Sequence, residues 1–145
     1  MNLRLARKLA LLIIVICAAA LAGCSFSVTT AHLASLSLSK DKAGKEPSAT
    51  FGLHDRIHAR AVVANVPSKV TLKWQLITEQ VDGQPHDAPV SALDMSFDLP
   101  SDGSSSYDLS PPEDGWPPGK YRIEVRMIVE SGEQKDQKVA PFAVN

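Results

Sequence analysis

Cysteine is nearly absent from the chain, since its 145 residues include only Cys17 and Cys24. Residues 25–145 therefore contain no disulfide and no thiol nucleophile, and a domain built from them depends on its apolar core alone. Lysine and arginine are missing between Lys73 and Lys120, where nine carboxylates stand. Because nucleic-acid-binding surfaces are basic, we expect no nucleic-acid partner. Amphipathic-helix periodicity is also lacking, which argues against a helical domain.

The length of the chain bounds its organisation to one domain with a core of ordinary size. The carboxylates between Lys73 and Lys120 have two interpretations. They are either solvated loops and strand faces, or a cation site or a surface for a basic partner. The nine are Glu79, Asp82, Asp87, Asp94, Asp98, Asp102, Asp108, Glu113 and Asp114.

A short motif near the N-terminus indicates a processing site. Leu21, Ala22, Gly23 and Cys24 match all four positions of the bacterial lipobox, in which a leucine and two small residues precede a cysteine. This resemblance to bacterial lipoproteins implies cleavage between Gly23 and Cys24, with acyl chains on the sulfur and the amine of Cys24. Since two or more acyl chains hold a protein on a membrane stably, membrane lipid becomes an expected partner.

The residues before the lipobox fit a secretion signal. Three basic residues stand within the first eight, and an apolar run of 14 residues follows from Leu9 to Ala22. A membrane-spanning helix needs about 20 apolar residues, so the run is too short for an ordinary anchor. We expect a signal peptide over 1–23, a lipidated N-terminus and short tether over 24–31, and a folded domain over 32–145. An uncleaved anchor or a secreted protein is the alternative.

The residue after the lipobox cysteine bears on location. Ser25 stands there rather than an aspartate, which resembles lipoproteins that enteric-type bacteria pass to the outer membrane. We therefore expect the cell envelope, at the periplasmic face of the outer membrane in a Gram-negative host. In a Gram-positive host the same signal implies the outer face of the plasma membrane.

Apolar residues recur at every second position through most of the chain after residue 31, which predicts strands with one buried and one wet face. The clearest example places Ile57, Ala59, Ala61 and Val63 on one side. Antiparallel sheets show this alternation, whereas parallel sheets have continuous apolar runs. We predict an all-β fold with seven or eight strands in a single antiparallel sandwich.

The alternation also predicts which face of each strand is buried. The first strand and a later strand before Pro100 should each present one apolar face to the core, with Asp94, Ser96 and Asp98 on the wet face of the later one. Pro141 places the last strand at a sheet edge or a bulge. The two apolar sets are His32, Ala34, Leu36 and Leu38, and Leu93, Met95, Phe97 and Leu99.

The segment Trp-Pro-Pro-Gly-Lys-Tyr from Trp116 to Tyr121 runs into a one-sided strand. It resembles the approach to strand F of immunoglobulin-like and fibronectin III-like bacterial domains. The resemblance implies that the Tyr121 hydroxyl ties down the corner and that Trp74 is the buried tryptophan of strand C. The cysteine pair of antibody domains is missing, with Ile123 at the second position. An immunoglobulin-like sandwich is thus implied, a fold that serves many functions.

The charged outer faces of the predicted strands have two interpretations. One is charge pairing between neighbouring strands, for example between Arg56, His58 and Arg60 on one strand and the carboxylates of the strand before Pro100. A recognition face for an acidic or glycan partner is the other. That possible interaction face consists of Lys73, Gln75, Ile77, Arg122, Arg126 and Ile128.

Trp116 has two interpretations as well. Buried, it caps one end of the sandwich beside Tyr121; exposed, it is a ligand aromatic that stacks on a sugar ring or anchors a peptide. The resembled corner packs its aromatic residues, which favours burial.

We expect no metal, no cofactor and no catalytic residue. His54 and His58 stand four residues apart, which along a strand separates them by about 13 Å, too far to share a zinc ion. Asp98, Asp102 and Asp108 lack the ligand pattern of an EF-hand loop. No serine stands in a nucleophile elbow.

These patterns together predict a membrane-anchored envelope lipoprotein with a non-catalytic immunoglobulin-like domain. The domain is expected to act through an envelope protein partner or as a structural module. A glycan-binding or small-ligand-binding module is the alternative, and a hydrolase comes third.

Overall fold

The computed structural model of the chain describes residues 30–145. The predicted signal peptide, its cleavage site at Gly23 and Cys24, and most of the tether lie outside the described residues. Residues 30–145 contain no α-helix, and thus no helix long and apolar enough to cross a membrane. The all-β prediction is confirmed. The strands are β1 His32–Ser39, β2 Thr50–Phe51, β3 Ile57–Ala64, β4 Val70–Val81, β5 Ala88–Pro89, β6 Met95–Leu99, β7 Gly103–Leu109, β8 Gly119–Val129 and β9 Gln134–Val144, with a 3₁₀ helix over Ser91–Leu93.

The strands form two sheets. The smaller sheet has the order β1-β3-β7, and the larger has the order β2-β9-β8-β4, with β5 and β6 both on the outer edge of β4. All pairings are antiparallel except that of β2 with β9. The prediction of seven or eight purely antiparallel strands is therefore wrong in detail. The two-residue strands β2 and β5 bring the described residues to nine strands, and one pair is parallel.

One apolar core joins the sheets, and the alternation predicted for β3, β4 and β8 fills it. Ile57, Leu72 and Ile123 are fully buried there, one from each strand. Trp74 of β4 stacks on Tyr107 of β7 with the ring centroids 5.4 Å apart, which ties the larger sheet to the smaller one. The two sheets thus pack face to face.

Strand β1 departs from its predicted face. Leu33 is opposite Val63 and Ser35 is opposite Val62, so Ala34 is an extra residue at a β-bulge. A bulge shifts the side-chain alternation by one position. Leu33 is therefore buried while His32 and Ala34 are exposed, and the predicted apolar set holds only from Leu36 onward.

Strand β6 is the second departure. Its register places Met95 opposite Trp74 and Phe97 opposite Leu72, so both face the core side of the larger sheet as predicted. Met95 is nevertheless 40% exposed and Phe97 37% exposed. The smaller sheet ends at β7 and leaves this part of the larger sheet uncovered. The prediction of a buried face on this strand is therefore wrong.

The position of the last strand, β9, is consistent with the prediction made from Pro141. Pro141 lies on β9 opposite Arg122 of β8, and on its other side β9 pairs with β2 only through Ala143 and Val144. Pro141 thus sits where β9 is a sheet edge within the described residues, as proline in a strand requires.

The two ends of the domain are called here the near end and the far end. The near end, where β1 begins, holds His32 and the start of β7 at Gly103. The far end holds Trp116, whose backbone N–H donates to Leu53 O at 2.7 Å, and the C-terminal Asn145. Strand β6 pairs with the half of β4 next to the near end, from Val70 to Trp74.

Candidate functional site

The six residues of the predicted interaction face lie on neighbouring strands. The register places Lys73 opposite Arg126 and Ile77 opposite Arg122, on the outer face of the larger sheet. Ile77 is only 5% exposed, however, and so does not offer apolar surface to a partner. Ile128 is half-buried.

One of the three basic residues of this face, Arg122, binds carboxylates that lie beside it. Arg122 contacts Asp87 at 2.6 Å, Glu124 at 2.8 Å and Glu79 at 3.3 Å. Hydrogen bonds from Arg122 to Glu124 and then Asp87 raise its pKa above the ordinary value. The guanidinium is therefore already neutralised by three carboxylates.

Arg126 is engaged as well, whereas Lys73 is exposed and makes no hydrogen bond or ion pair within residues 30–145. Arg126 donates to Gln75, and Gln75 donates to Asp94 at 3.1 Å. The Nε of Arg126 is buried without a partner in residues 30–145. The bonding of both arginines leaves mainly the Lys73 ammonium group for a ligand, so this face is a weaker candidate than the sequence predicts.

The predicted charge pairing occurs with other partners. Strand β3 pairs with β7, not with β6, so His58 faces Asp108 and Arg60 faces Ser106. His58 Nδ1 lies 2.8 Å from Asp108 Oδ1. The pairing of Arg56, His58 and Arg60 with the carboxylates of β6 is therefore wrong, because β6 belongs to the larger sheet.

This pair has a serine beside it. The register places Ser39 of β1 opposite His58, so Ser39, His58 and Asp108 form a row across three strands. Such a row has the residue types of a hydrolase triad. The Ser39 hydroxyl, however, donates to Asp41 O at 2.7 Å, and Ser39 is 7% exposed. The serine is thus neither bonded to the histidine nor accessible to a substrate.

The aspartates whose spacing was compared with that of an EF-hand loop make hydrogen bonds and ion pairs within the protein itself. Asp98 accepts from Thr71 Oγ1 at 2.7 Å and contacts Lys69 Nζ at 3.2 Å, and these contacts lower its pKa. Asp102 accepts from the Val66 N–H at 2.7 Å. Within residues 30–145 no group of three or more metal-ligating side chains converges.

Trp116 is buried, at 5% exposure, and its Nε1 donates to Asp55 O at 2.9 Å. The interpretation of Trp116 as an exposed ligand aromatic is therefore wrong, because the side chain is buried. Beside it, the Tyr121 hydroxyl donates to Pro117 O at 2.7 Å, and burial raises the Tyr121 pKa. The Tyr121 ring stacks on Phe142 at 5.3 Å.

A small cavity of about 170 Å³ opens at the far end, beside β4 and β8 of the larger sheet. Three of its polar wall groups are already bonded, since Thr78 Oγ1 lies 2.9 Å from Pro85 O and both aromatic donors bind carbonyls. The side chain of Gln84 is exposed at its rim. An apolar group suits this cavity better than a sugar. Six of its lining residues are Leu76, Val90, Leu93, Trp116, Pro117 and Tyr121.

The strongest candidate is the β6 edge, which we define as strand β6 with Val90, Leu93 and Asp94 before it. Among the described residues β6 pairs only with β4, so its other backbone edge is free. Met95 and Phe97 form half of the four exposed large apolar residues of the described chain. Exposed apolar side chains on a free sheet edge indicate a contact surface.

The apolar side of the β6 edge continues toward the cavity. Val90 N donates to Leu76 O at 2.8 Å, so Val90 occupies the edge of β4 just beyond Met95. Val90 and Leu93 also line the cavity. An apolar stripe therefore runs along the edge of the larger sheet from Phe97 to the far end.

The comparisons with known proteins show the fold and no function. No family model matches the chain, and no curated protein matches it significantly. The DNA-bound alkylpurine DNA glycosylase AlkC of Pseudomonas fluorescens matches with a TM-score of 0.52 and 14% identity, over 79% of this chain and 30% of that one. The chain thus spans less than a third of the glycosylase. The soluble domain of PmoD from a Methylocystis species matches with a TM-score of 0.46 and 17% identity, over 76% and 89%.

Sequence analysis missed Met95 and Phe97 as surface residues because their alternation is the same as that of a core strand. A signal was nonetheless present. Their strand is short, ends at Pro100, and carries a carboxylate at Asp94 and Asp98 on its other face. Short strands with charged residues and bounding prolines are typical of sheet edges.

Proposed function

We propose that the protein is a lipid-anchored envelope protein whose immunoglobulin-like domain acts without catalysis, by binding another protein. The observation that carries the contact is the β6 edge, with Met95 and Phe97 exposed on a strand that has a free side. Most surfaces scatter apolar residues singly, whereas this edge aligns them two residues apart.

The immunoglobulin-like assignment has its own support. Trp74 is fully buried between the sheets, and the Tyr121 hydroxyl binds the backbone four residues upstream, at Pro117 O. A tyrosine corner of immunoglobulin-like sandwiches makes a bond of this kind. The parallel strand β2 and the position of β6 are local variations on such a sandwich.

Site-specific photo-crosslinking in cells tests the contact. A photoreactive amino acid replacing Met95 or Phe97 should trap one envelope protein. The matched control is Val139, which is 46% exposed on β9 and lies outside the β6 edge. Adducts from the control position that equal those from β6, or none from β6, would contradict the proposal. Adducts from Lys73 and Ile128 alone would move the contact to the other face of the larger sheet.

The anchor is tested separately. Cells grown with labelled palmitate should incorporate the label into this protein, and Cys24→Ala should abolish the label and release the protein from the membrane fraction. Cys17→Ala is the matched control and should reduce neither. Label that survives Cys24→Ala would contradict lipidation at that residue.

A second candidate function rests on the far-end cavity. At about 170 Å³ it is close to an engineered apolar cavity of about 150 Å³ that binds benzene. A saturable benzene-induced shift of the Trp116 Nε1–H resonance would support ligand binding. The cavity-filling variant Leu93→Trp should abolish that shift, and a shift that persists would place the benzene elsewhere.

A further inference from the structure

We propose that the β6 edge binds an extended segment of a partner protein as an added strand, and that this segment alternates apolar and basic residues. The inference rests on the proposed function, because it names the kind of partner that the same edge receives. Three independent features carry it: a free backbone edge, an apolar side and an acidic side.

The backbone feature is the free edge itself. Strand β6 pairs with β4 from Met95 to Leu99, and no other described strand pairs with it. An antiparallel ladder uses only part of a strand's N–H and C=O groups, so β6 presents the rest outward. Extended peptides bind such edges through main-chain hydrogen bonds.

The apolar feature sets the spacing of the partner. Met95 and Phe97 stand two residues apart on one face, about 7 Å along the strand. A strand added beside β6 places its own alternate residues at that spacing on the same face. Apolar residues at those positions would cover Met95 and Phe97 and continue the core beyond the reach of the smaller sheet.

The charge feature sets the other face of the partner. Asp94 shares the outer face with Gln75, to which it is bonded, and no lysine, arginine or histidine among residues 30–145 pairs with it. Asp98 follows on the same face, with one lysine contact. Lys73 lies on this outer face opposite Ser96, but it belongs to β4 and is therefore one strand further from an added strand than Asp94 and Asp98 are. Basic residues on the added strand would therefore meet acidic ones.

The same charges argue against a second copy of this chain. Antiparallel pairing of two β6 strands would bring Asp94 and Asp98 of one copy close to those of the other. Like charges across paired strands are destabilising. A basic heterologous partner is thus favoured over a symmetric dimer.

Binding to the purified full-length protein in detergent tests the inference. The probe is a fluorescent, N-acetylated heptapeptide that alternates lysine and valine. We expect saturable binding that Met95→Ser combined with Phe97→Ser weakens at least tenfold, while Val139→Ser, the matched control, leaves it unchanged. Unchanged melting temperatures would show that the substituted proteins are folded.

Three modified peptides separate strand addition from simple adsorption, two of them N-methylated and one with its charge reversed. N-methylation of alternate amides, tested in both registers, should abolish binding in at least one register, because it removes hydrogen bonds on one edge of the peptide. A peptide with glutamate in place of lysine should bind at least tenfold more weakly to the natural protein. Asp94→Lys should reduce the difference in affinity between the lysine and glutamate peptides by several fold. Equal affinity for both peptides, or unchanged affinity after N-methylation in both registers, would overturn the inference.

The cellular crosslinks distinguish this inference from the proposed function. If Met95 and Phe97 positions trap an envelope protein while the lysine–valine peptide does not bind, protein contact stands and the added basic strand is wrong. If neither the crosslinks nor the peptide give a signal, both fail.

Discussion

Gly119 is the position where a single added methyl group should do the most damage to the larger sheet. It begins β8 opposite Val81 of β4 and Val144 of β9, with a φ of +148°. A Cβ at this position would lie 2.4 Å from Gln80 O and 2.9 Å from the Val81 Cα. Both are backbone atoms of the paired strand, so no side-chain rotation relieves the contact.

The expected loss has two parts. Overpacking against a backbone costs about 1–3 kcal/mol, and a strained φ for a residue with a Cβ costs about 1–3 kcal/mol. Gly119→Ala should therefore lower the free energy of unfolding by about 2–6 kcal/mol. In a domain of this size 1 kcal/mol corresponds to about 4 °C, so the melting temperature should fall by about 8–24 °C.

Gly132→Ala provides the control for the conformational part. Gly132 also has a positive φ, +87°, but nothing lies within 4 Å of an added Cβ. This variant should lose only about 1–2 kcal/mol, the cost of the left-handed conformation. Thermal unfolding followed by circular dichroism measures both variants. Equal losses for the two glycines would refute the argument that contact with β4 makes Gly119 special.

Other perturbations follow from the bonds of single side chains. Tyr121→Phe removes the hydroxyl bond to Pro117 O and should cost about 1 kcal/mol, read as a lower denaturation midpoint; an unchanged midpoint would mean that the corner bond contributes nothing. Arg122→Ala leaves its three carboxylates facing one another and should cost about 1.5–3 kcal/mol at low salt. Added salt should reduce the difference in stability between Arg122→Ala and the natural protein, because salt screens the charges. A difference that grows with salt would contradict the electrostatic explanation. The Val66 N–H lowers the Asp102 pKa below 3.8, so the stability from this bond is present above that pH and is lost as the pH falls through the folded-state value. Asp102→Asn should therefore be less stable than the natural protein at neutral pH, with the difference shrinking below about pH 4; a constant difference would refute the linkage.

The sequence predicts a strand well when the strand is paired on both edges, with one face on the core and the other in solvent. Strands β3 and β8 lie in the interior of their sheets with one face on the core, and their period-two pattern matches their burial. The aromatic corner was predictable for a related reason. Trp116 and Tyr121 sit within a proline-rich turn whose geometry is set locally, and both are buried as the resemblance implies.

The remaining features depend on contacts that a local pattern does not encode. The bulge at Ala34 does not alter the apolar–polar alternation of the sequence. It does change which sheet face the residues before it occupy, relative to those after it. The two residues of β2 are too few to show a period, although Phe51 is buried and packs edge-on against Phe142. The exposure of Met95 depends on where the smaller sheet ends, which is a property of the whole topology.

The acidic residues beside β6 address two requirements that usually conflict: a free edge must accept a partner strand, and it must not pair with another copy of itself. A free edge with exposed apolar side chains invites pairing with any extended chain, including another copy of itself. Asp94 and Asp98 lie on the opposite face from Met95 and Phe97, so they oppose self-pairing without covering the apolar side. The same two carboxylates would favour a basic strand from a partner. A neutral β6 edge, made by Asp94→Asn and Asp98→Asn together, should therefore gain self-association as it loses preference for the basic peptide, and light scattering would reveal the first change. A variant that stays monomeric while it loses that preference would show that charge selects the partner but does not prevent self-pairing.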